Sequence, residues 1–205
     1  MQASLKTVPK RNAAEKVGVI GKRNGKYDMV EYSEFPESMA AETLPDGTLK
    51  FNQGNILVFV VQSEFLLKLA CGTGDDGSDP TDLYHRAHKK ISYYDHATGE
   101  QITPTDVNGW KFELFLQEFL PKVDLGRLGV LSVDRETEFA PVKNADAPIG
   151  QPLLPDTPAW ARKMILDEAA KWLEPCEAEG LKINPATKGN IEVSFMLSYQ
   201  GEHLG

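Results

Sequence analysis

Leu128 to Asp146 reads LGVLSVDRETEFAPVKNAD, and the order of these residues decides how the chain is read. The apolar run Leu128 to Val133 has the composition of a strand. Pro141 fixes φ and cannot extend a regular sheet, so the chain leaves the strand here. One cation, Lys143, one amide, Asn144, and a small residue then precede Asp146. A lysine at the end of a sheet strand is placed to meet an anion in the crevice there, although an ordinary solvated surface lysine would read the same way.

Downstream, Asp156-Thr157-Pro158 starts a helix, with Pro acceptable at its first position. Ala159 to Leu173 continues it with Trp160, Met164, Trp172 and Leu173 as the packing face, and Gly180 closes the region. Asn190 to Tyr199, NIEVSFMLSY, alternates as a strand, and a polar tail follows. Upstream, Lys16 to Tyr32 holds two apolar-rich runs around Asn24-Gly25, a dipeptide suited to a tight β-hairpin turn. Gly18 in the first run marks a close backbone approach, and Glu31 ends the second. In LKFNQGNILVFVV the β-branched and aromatic content of Ile56 to Val61 reads as a strand. The apolar residues continuing through Phe65 to Leu69 would equally serve a buried helix after Gly54-Asn55.

Cys71 to Asp82, CGTGDDGSDPTD, is a loop by every local signal and is expected to be a mobile insertion. Its carboxylates and lack of lysine exclude a phosphate cradle, and it lacks the ligand spacing of an EF-hand loop. Leu83 to Lys90 reads as the end of a helix with His and Lys near its C-terminus. Its His85 and His88 are three apart but have no metal-ligand partner in view. Ile91 to Ile102 reads as a hairpin around Thr98-Gly99. Asp106 to Leu120 reads as an amphipathic helix, with Phe112, Phe115 and Phe119 at helical spacing as core aromatics. In that reading Lys111 sits in the first turn, against the helix dipole.

At 205 residues, with 41% hydrophobic and 25% charged residues, the chain has the composition of a soluble globular protein with one good core. The net charge of -8 argues against a nucleic-acid or anionic-membrane surface as partner. The longest apolar run, Ile56 to Val61, is far too short to span a bilayer. The polar first residues show no secretory signal. Cys71 and Cys176 match no metal or redox spacing and are read as free thiols in a reducing compartment. A cytoplasmic protein is expected.

Several blocks, in order, resemble the eukaryotic UDP-N-acetylglucosamine pyrophosphorylases: KVGVIG with VEYSE, FNQGNI, HKKISYYD, NGWKFE, EFAPVKNAD, DTPAWAR and VSFMLSYQGEHL. They cover most of residues 15 to 205. The resemblance implies an α/β fold, the C-terminal part of a Rossmann-like nucleotidyltransferase mixed sheet with flanking helices and a short C-terminal β element. Residues 1–14 are then a flexible lead-in, 15–178 a partial sugar-phosphate-binding domain, and 179–205 the start of a small β region. It also implies a helix after Gly54-Asn55.

Such enzymes join UTP and N-acetylglucosamine 1-phosphate and release pyrophosphate, with Mg²⁺. By resemblance, Gly18 and Glu31 would border the sugar, and Glu31 would accept from its hydroxyls. Asn55 would hold a hydroxyl or the acetamido group, Phe115 would line the N-acetyl pocket, and Lys111 and Lys143 would meet the phosphates. Three departures accompany the match. Gln117 stands where a second aromatic is usual, Leu57 to Phe59 replace a more polar run, and the Gly-rich loop for the UTP phosphates has no counterpart in this sequence. The chain alone is therefore expected to be catalytically crippled. Alternatives are a non-catalytic sugar-phosphate-binding or assembly module, docking on a separate N-terminal half or a second copy, and a pyrophosphorylase for another sugar 1-phosphate.

Overall fold

The computed structural model describes residues 1–71 and 84–204, so the expected loop at Cys71 to Asp82 lies, except for Cys71, outside the described residues. The chain divides into two compact units, Met1–Ser132 and Val133–Gly205.

The first unit is built on a mixed five-stranded sheet, which confirms the α/β class. Its strands are β1 (Ala3–Pro9), β2 (Val19–Arg23), β3 (Lys26–Val30), β4 (Gln53–Val61) and β9 (Leu128–Ser132), in the spatial order β3-β2-β4-β1-β9. The expected strand at Leu128 is present as β9 and runs parallel to β1. The flexible lead-in expected for residues 1–14 is not found. Ala3–Pro9 is an inner strand, antiparallel to β4 and parallel to β9. The reason is a period-two pattern, in which Ala3, Leu5 and Thr7 are buried while Ser4 and Lys6 alternate with them.

The helix expected directly after Gly54-Asn55 is also corrected. That segment is β4, because Val58, Val60 and Val61 are stiff at χ1 and suit a pleated ladder. The helical character belongs to the next stretch, α2 (Ser63–Cys71), which follows the short α1 (Glu37–Ala40) in chain order. Met29, Phe65, Phe119, Leu120 and Val123 form the core with Ala3 and Leu5.

Two further helix readings give way to strands. Leu83 to Lys90 contains β5 (His85–Lys89), and Asp106 to Leu120 contains β8 (Gly109–Glu113), its antiparallel partner. Cross-strand side-chain pairing explains the outcome. His88 stacks on Trp110, the residue opposite it, with centroids 4.5 Å apart, and Tyr84 meets Phe112 edge-on at 6.4 Å. Asn108 clamps Ile91, its Oδ1 accepting from the Ile91 N–H at 2.7 Å and its Nδ2 donating to the Ile91 carbonyl at 3.0 Å. Only Leu116–Lys122 coils, as a 3₁₀ helix that buries Gln117, Phe119 and Leu120. Of the three phenylalanines read as core, Phe119 is buried and Phe112 is exposed. The hairpin around Thr98-Gly99 forms as β6 (Tyr93–Asp95) and β7 (Glu100–Ile102), with Gly99 at φ 72°.

The second unit holds α3 (Arg135–Glu138) and the long α4 (Pro158–Ala178). Thr157 caps α4 as its sequence indicates: its Oγ1 accepts from the Trp160 N–H at 3.2 Å, and Pro158 is the first helical residue. The strand expected at Asn190 to Tyr199 does not form. An alternating segment needs a ladder partner, and Phe195, Met196 and Leu197 are exposed rather than paired. Instead the Glu202 carboxylate folds the segment back on itself, accepting from the Tyr199 and Gln200 N–H groups and the Ser198 hydroxyl. Those donors hold its pKa down at about 2. Among the described residues no helix is long and apolar enough to cross a membrane.

Candidate functional site

The β2–β3 hairpin positions the first pair. Asn24 and Gly25 both adopt positive φ, 53° and 77°, the two-residue turn whose twist matches paired strands. The ladder it sets ends at Val19 opposite Val30, so Gly18 and Glu31 face each other one step further on. The approach is tight: a Cβ at Gly18 would lie 3.1 Å from Glu31 Oε1 and 3.4 Å from Met29 Cγ. A carboxylate of this chain therefore accounts for the glycine that the sequence marked as a close-approach position.

Strand β4 brings the third residue. Val19 pairs with Gly54, and the Asn55 N–H donates to the Gly18 carbonyl at 2.8 Å. Asn55 is buried, and its Oδ1 accepts from the Leu57 N–H at 2.9 Å. That bond supports an unusual backbone, since Leu57 sits at φ 61° where the β1–β4 register shifts between Leu5 and Thr7. Bulges and left-handed non-glycine residues cost energy and gather at functional sites. With Oδ1 engaged, the Asn55 amide NH₂ is the group left to donate to a ligand.

The 3₁₀ helix and the β5–β8 pair form the remaining wall. Gln117 Nε2 donates to Glu31 Oε1 at 2.8 Å. His85 bridges two further carboxylates, Glu34 at 2.8 Å through Nδ1 and Glu118 at 2.6 Å through Nε2. Its ring lies against Phe115 with centroids 4.4 Å apart. Burial pushes the Glu31 carboxyl above its ordinary range, against the pull of the Gln117 hydrogen bond and the His85 charge. Burial alone would lower the His85 pKa, but the hydrogen bonds its ring donates to Glu118 and Glu34 outweigh it and raise it. Lys111, on β8, is exposed and ion-paired with Glu113 at 2.5 Å. On a strand it meets no helix dipole, and the conflict read from the sequence disappears. A cavity of about 540 Å³, a size ordinary for a small-molecule site, is lined by Lys10, Lys16, Val17, Val19, Tyr32 and Phe35 among others, the chain neighbours of Gly18 and Glu31 rather than those residues themselves.

Lys143 belongs to the second unit, on the exposed loop that follows α3. The loop is tied to the start of α4: the Lys143 and Asn144 N–H groups donate to the Asp156 carbonyl at 2.8 and 3.0 Å, and Asp146 Oδ1 accepts from the Ala159 N–H at 2.8 Å. The KNAD segment is thus a built loop rather than a slack one.

The structure therefore brings Gly18, Glu31 and Asn55 into one place; Phe115 lies against His85, Lys111 is exposed on β8 and engaged by Glu113, and Lys143 belongs to the second unit. Sequence reasoning did not see that Gln117 contacts Glu31, nor the Glu34–His85–Glu118 bridge. The spacing of His85 and His88 points in the sequence only to a metal pair, and among the described residues no three or more His, Cys, Asp or Glu gather as a metal site.

No family model matches the chain. It is similar along nearly its whole length to individual proteins. UDP-N-acetylglucosamine pyrophosphorylase of Saccharomyces cerevisiae is 36% identical over 206 residues, which is 99% of this chain and 39% of that protein. UDP-N-acetylglucosamine diphosphorylase 2 of Arabidopsis thaliana is 32% identical over 205 residues, 98% of this chain and 37% of that protein. Among solved structures, the uridine diphosphate N-acetylglucosamine pyrophosphorylase of Trypanosoma brucei, crystallised with an inhibitor, superposes with a TM-score of 0.69 at 29% identity, over 99% of this chain and 39% of that one. A UDP-N-acetylglucosamine pyrophosphorylase candidate from Entamoeba histolytica gives 0.73 at 25% identity, over 99% and 46%. The chain spans less than half the length of each of these proteins. It is a relative of the UDP-N-acetylglucosamine pyrophosphorylases, corresponding to their C-terminal portion.

Proposed function

We propose that this chain forms the sugar-phosphate side of a UTP:N-acetylglucosamine-1-phosphate uridylyltransferase. The observation that carries the reading is the meeting of Gly18 and Glu31, paired across one hairpin, with Asn55 of β4 at the β2–β3–β4 junction. Glu31 supplies a carboxylate acceptor for sugar hydroxyls, Asn55 an amide donor, and Gly18 the room for both. Phe115, steadied against His85, offers an apolar surface for the sugar or its N-acetyl group.

In the proposed reaction a phosphate oxygen of the sugar 1-phosphate attacks the α-phosphorus of UTP. The bond from that phosphorus to the bridging oxygen breaks, and pyrophosphate leaves with the bonding electrons. Such chemistry asks for in-line positioning and neutralisation of charge, not a protein nucleophile. Lys143 and Lys111 are the cations proposed for the phosphates, and Lys111 would exchange Glu113 for a phosphate oxygen. Mg²⁺ bound would supply further neutralisation. The described residues do not by themselves gather a carboxylate set to hold it. The sequence offers no Gly-rich loop for the UTP phosphates, so the chain by itself supplies one side of the reaction. Two unpaired cysteines agree with a reducing, cytoplasmic setting.

Calorimetric titration with UDP-N-acetylglucosamine, beside Lys143→Ala and Glu31→Ala, tests the reading. Binding that both substitutions weaken supports it; no heat at millimolar ligand overturns it for the isolated chain. A second reading, an assembly module, draws on one observation. Val60 and Leu131, 69% and 59% exposed, flank Ser4 and Lys6 on the face of the sheet opposite the core. A mass that rises with concentration in sedimentation would favour that reading.

A further inference from the structure

We propose that Gln117 is a positioning residue for sugar recognition, holding the Glu31 carboxylate in one orientation against Gly18; this rests on the reading of the site as sugar-binding. Gln117 is 4% exposed and directs its amide at Glu31 Oε1 from 2.8 Å. Its backbone is firmly seated, because Phe119 and Leu120 on the same 3₁₀ helix enter the core and Phe119 meets Phe59 edge-on at 5.6 Å. From the other side Gly18 closes in, with room so limited that a Cβ would come within 3.1 Å of the same oxygen. Oε1 is thus confined between an amide donor and a glycine backbone, and Oε2 is the oxygen that Gln117 does not engage. A carboxylate fixed in this way loses little rotamer freedom when it accepts from sugar hydroxyls. A leucine at 117 would fill similar space but leave the half-buried carboxylate without this donor.

The test uses the whole chain with Gln117→Leu, Glu31→Gln and the double variant. The first measurement needs no ligand: the Glu31 side-chain carboxyl is titrated by NMR with ¹³C-labelled glutamate. Loss of the donor moves its midpoint upward in Gln117→Leu, while amide resonances outside residues 16–19, 29–33 and 113–120 stay in place. The second is calorimetry with UDP-N-acetylglucosamine. Gln117→Leu weakens binding about tenfold, Glu31→Gln by at least as much, and the double variant no further than Glu31→Gln alone. An unmoved midpoint, wild-type affinity in Gln117→Leu, or losses that add in the double variant each overturn the proposal. If the unaltered chain binds no UDP-sugar, the sugar-binding reading falls and the recognition role of Gln117 with it. A shifted midpoint in that case shows a bond that serves only the fold.

Discussion

Two glycines of the same hairpin, three residues apart, are expected to respond oppositely to alanine. At Gly21 an added Cβ meets nothing within 4 Å, whereas at Gly18 it meets Glu31 Oε1 at 3.1 Å, and Glu31 Cδ and Met29 Cγ at 3.4 Å. Neither glycine has positive φ, so alanine can adopt both backbones. Replacing such a glycine stabilises by about 0.4–1 kcal/mol through the unfolded chain. That gain is common to both sites and cancels when the variants are compared with each other. What remains at Gly18 is the crowding, typically about 1–3 kcal/mol for an extra methyl in a packed site. The lower half of that range is expected, since the carboxylate can shift by a few tenths of an ångström while stretching its bond to Gln117. Urea unfolding followed by circular dichroism should place Gly18→Ala about 1–2 kcal/mol below Gly21→Ala, with Gly21→Ala at or above the unaltered chain. In a Glu31→Ala background most of the gap should close, because the obstructing carboxylate is gone. Equal stability of the two alanine variants would refute the close approach of Gly18 to Glu31.

Three further outcomes follow from the fold. Leu120→Ala, at a fully buried core position, should cost about 2–5 kcal/mol in the same urea experiment, the loss of a large side chain from the packed core. Thr157→Ala removes the hydroxyl that caps α4 and itself donates to the Leu154 carbonyl at 2.9 Å. About 1 kcal/mol should be lost, with amide exchange rising first at Trp160 and Ala161. Above its ordinary pKa of 6.5, His85 should lose its bridging charge as pH climbs through its raised folded-state value. Its stabilisation is complete below pH 6.5 and fades on the alkaline side, so the melting-temperature gap between the unaltered chain and His85→Gln should be wider at pH 6 than at pH 8.5. Glu31, also raised, acts in the same direction but at lower pH, since folding favours its protonated form and stability declines as pH climbs from 4.5 through its folded-state value.

What could be read from the sequence was whatever local chemistry decides. Asn24-Gly25 and Thr98-Gly99 announce their turns because few residues accept positive φ, and Thr157-Pro158 announces a helix because the cap and the fixed φ act within one turn. What failed was decided at a distance. Nothing local in Asp106 to Leu120 shows that Trp110 will stack on His88 across a ladder, and the phenylalanine spacing fits a helix until that partner is known. Ala3–Pro9 is an intermediate case: the alternation of Ala3, Leu5 and Thr7 with Ser4 and Lys6 is a local signal, but a short and weakly apolar one, and its pairing with β4 and β9 completes the strand.

The candidate site sits between these cases, because its geometry follows from one local signal carried one step further. A two-residue turn at Asn24-Gly25 places Lys26 opposite Arg23, and each step back along the ladder pairs the next residues, down to Val30 opposite Val19. One more step sets Glu31 against Gly18 without any tertiary information. A glycine there then has a reason independent of any ligand, since a Cβ would crowd Glu31 Oε1 at 3.1 Å. Asn55 joins through the single β2–β4 pair, which no local rule supplies, and Gln117 through a 3₁₀ helix anchored by Phe119 and Leu120 in the core. The hairpin thus fixes where the carboxylate stands, and the core fixes which way it faces. Substitutions in the turn should therefore move Glu31 bodily, whereas substitutions at Gln117 should only free it to rotate.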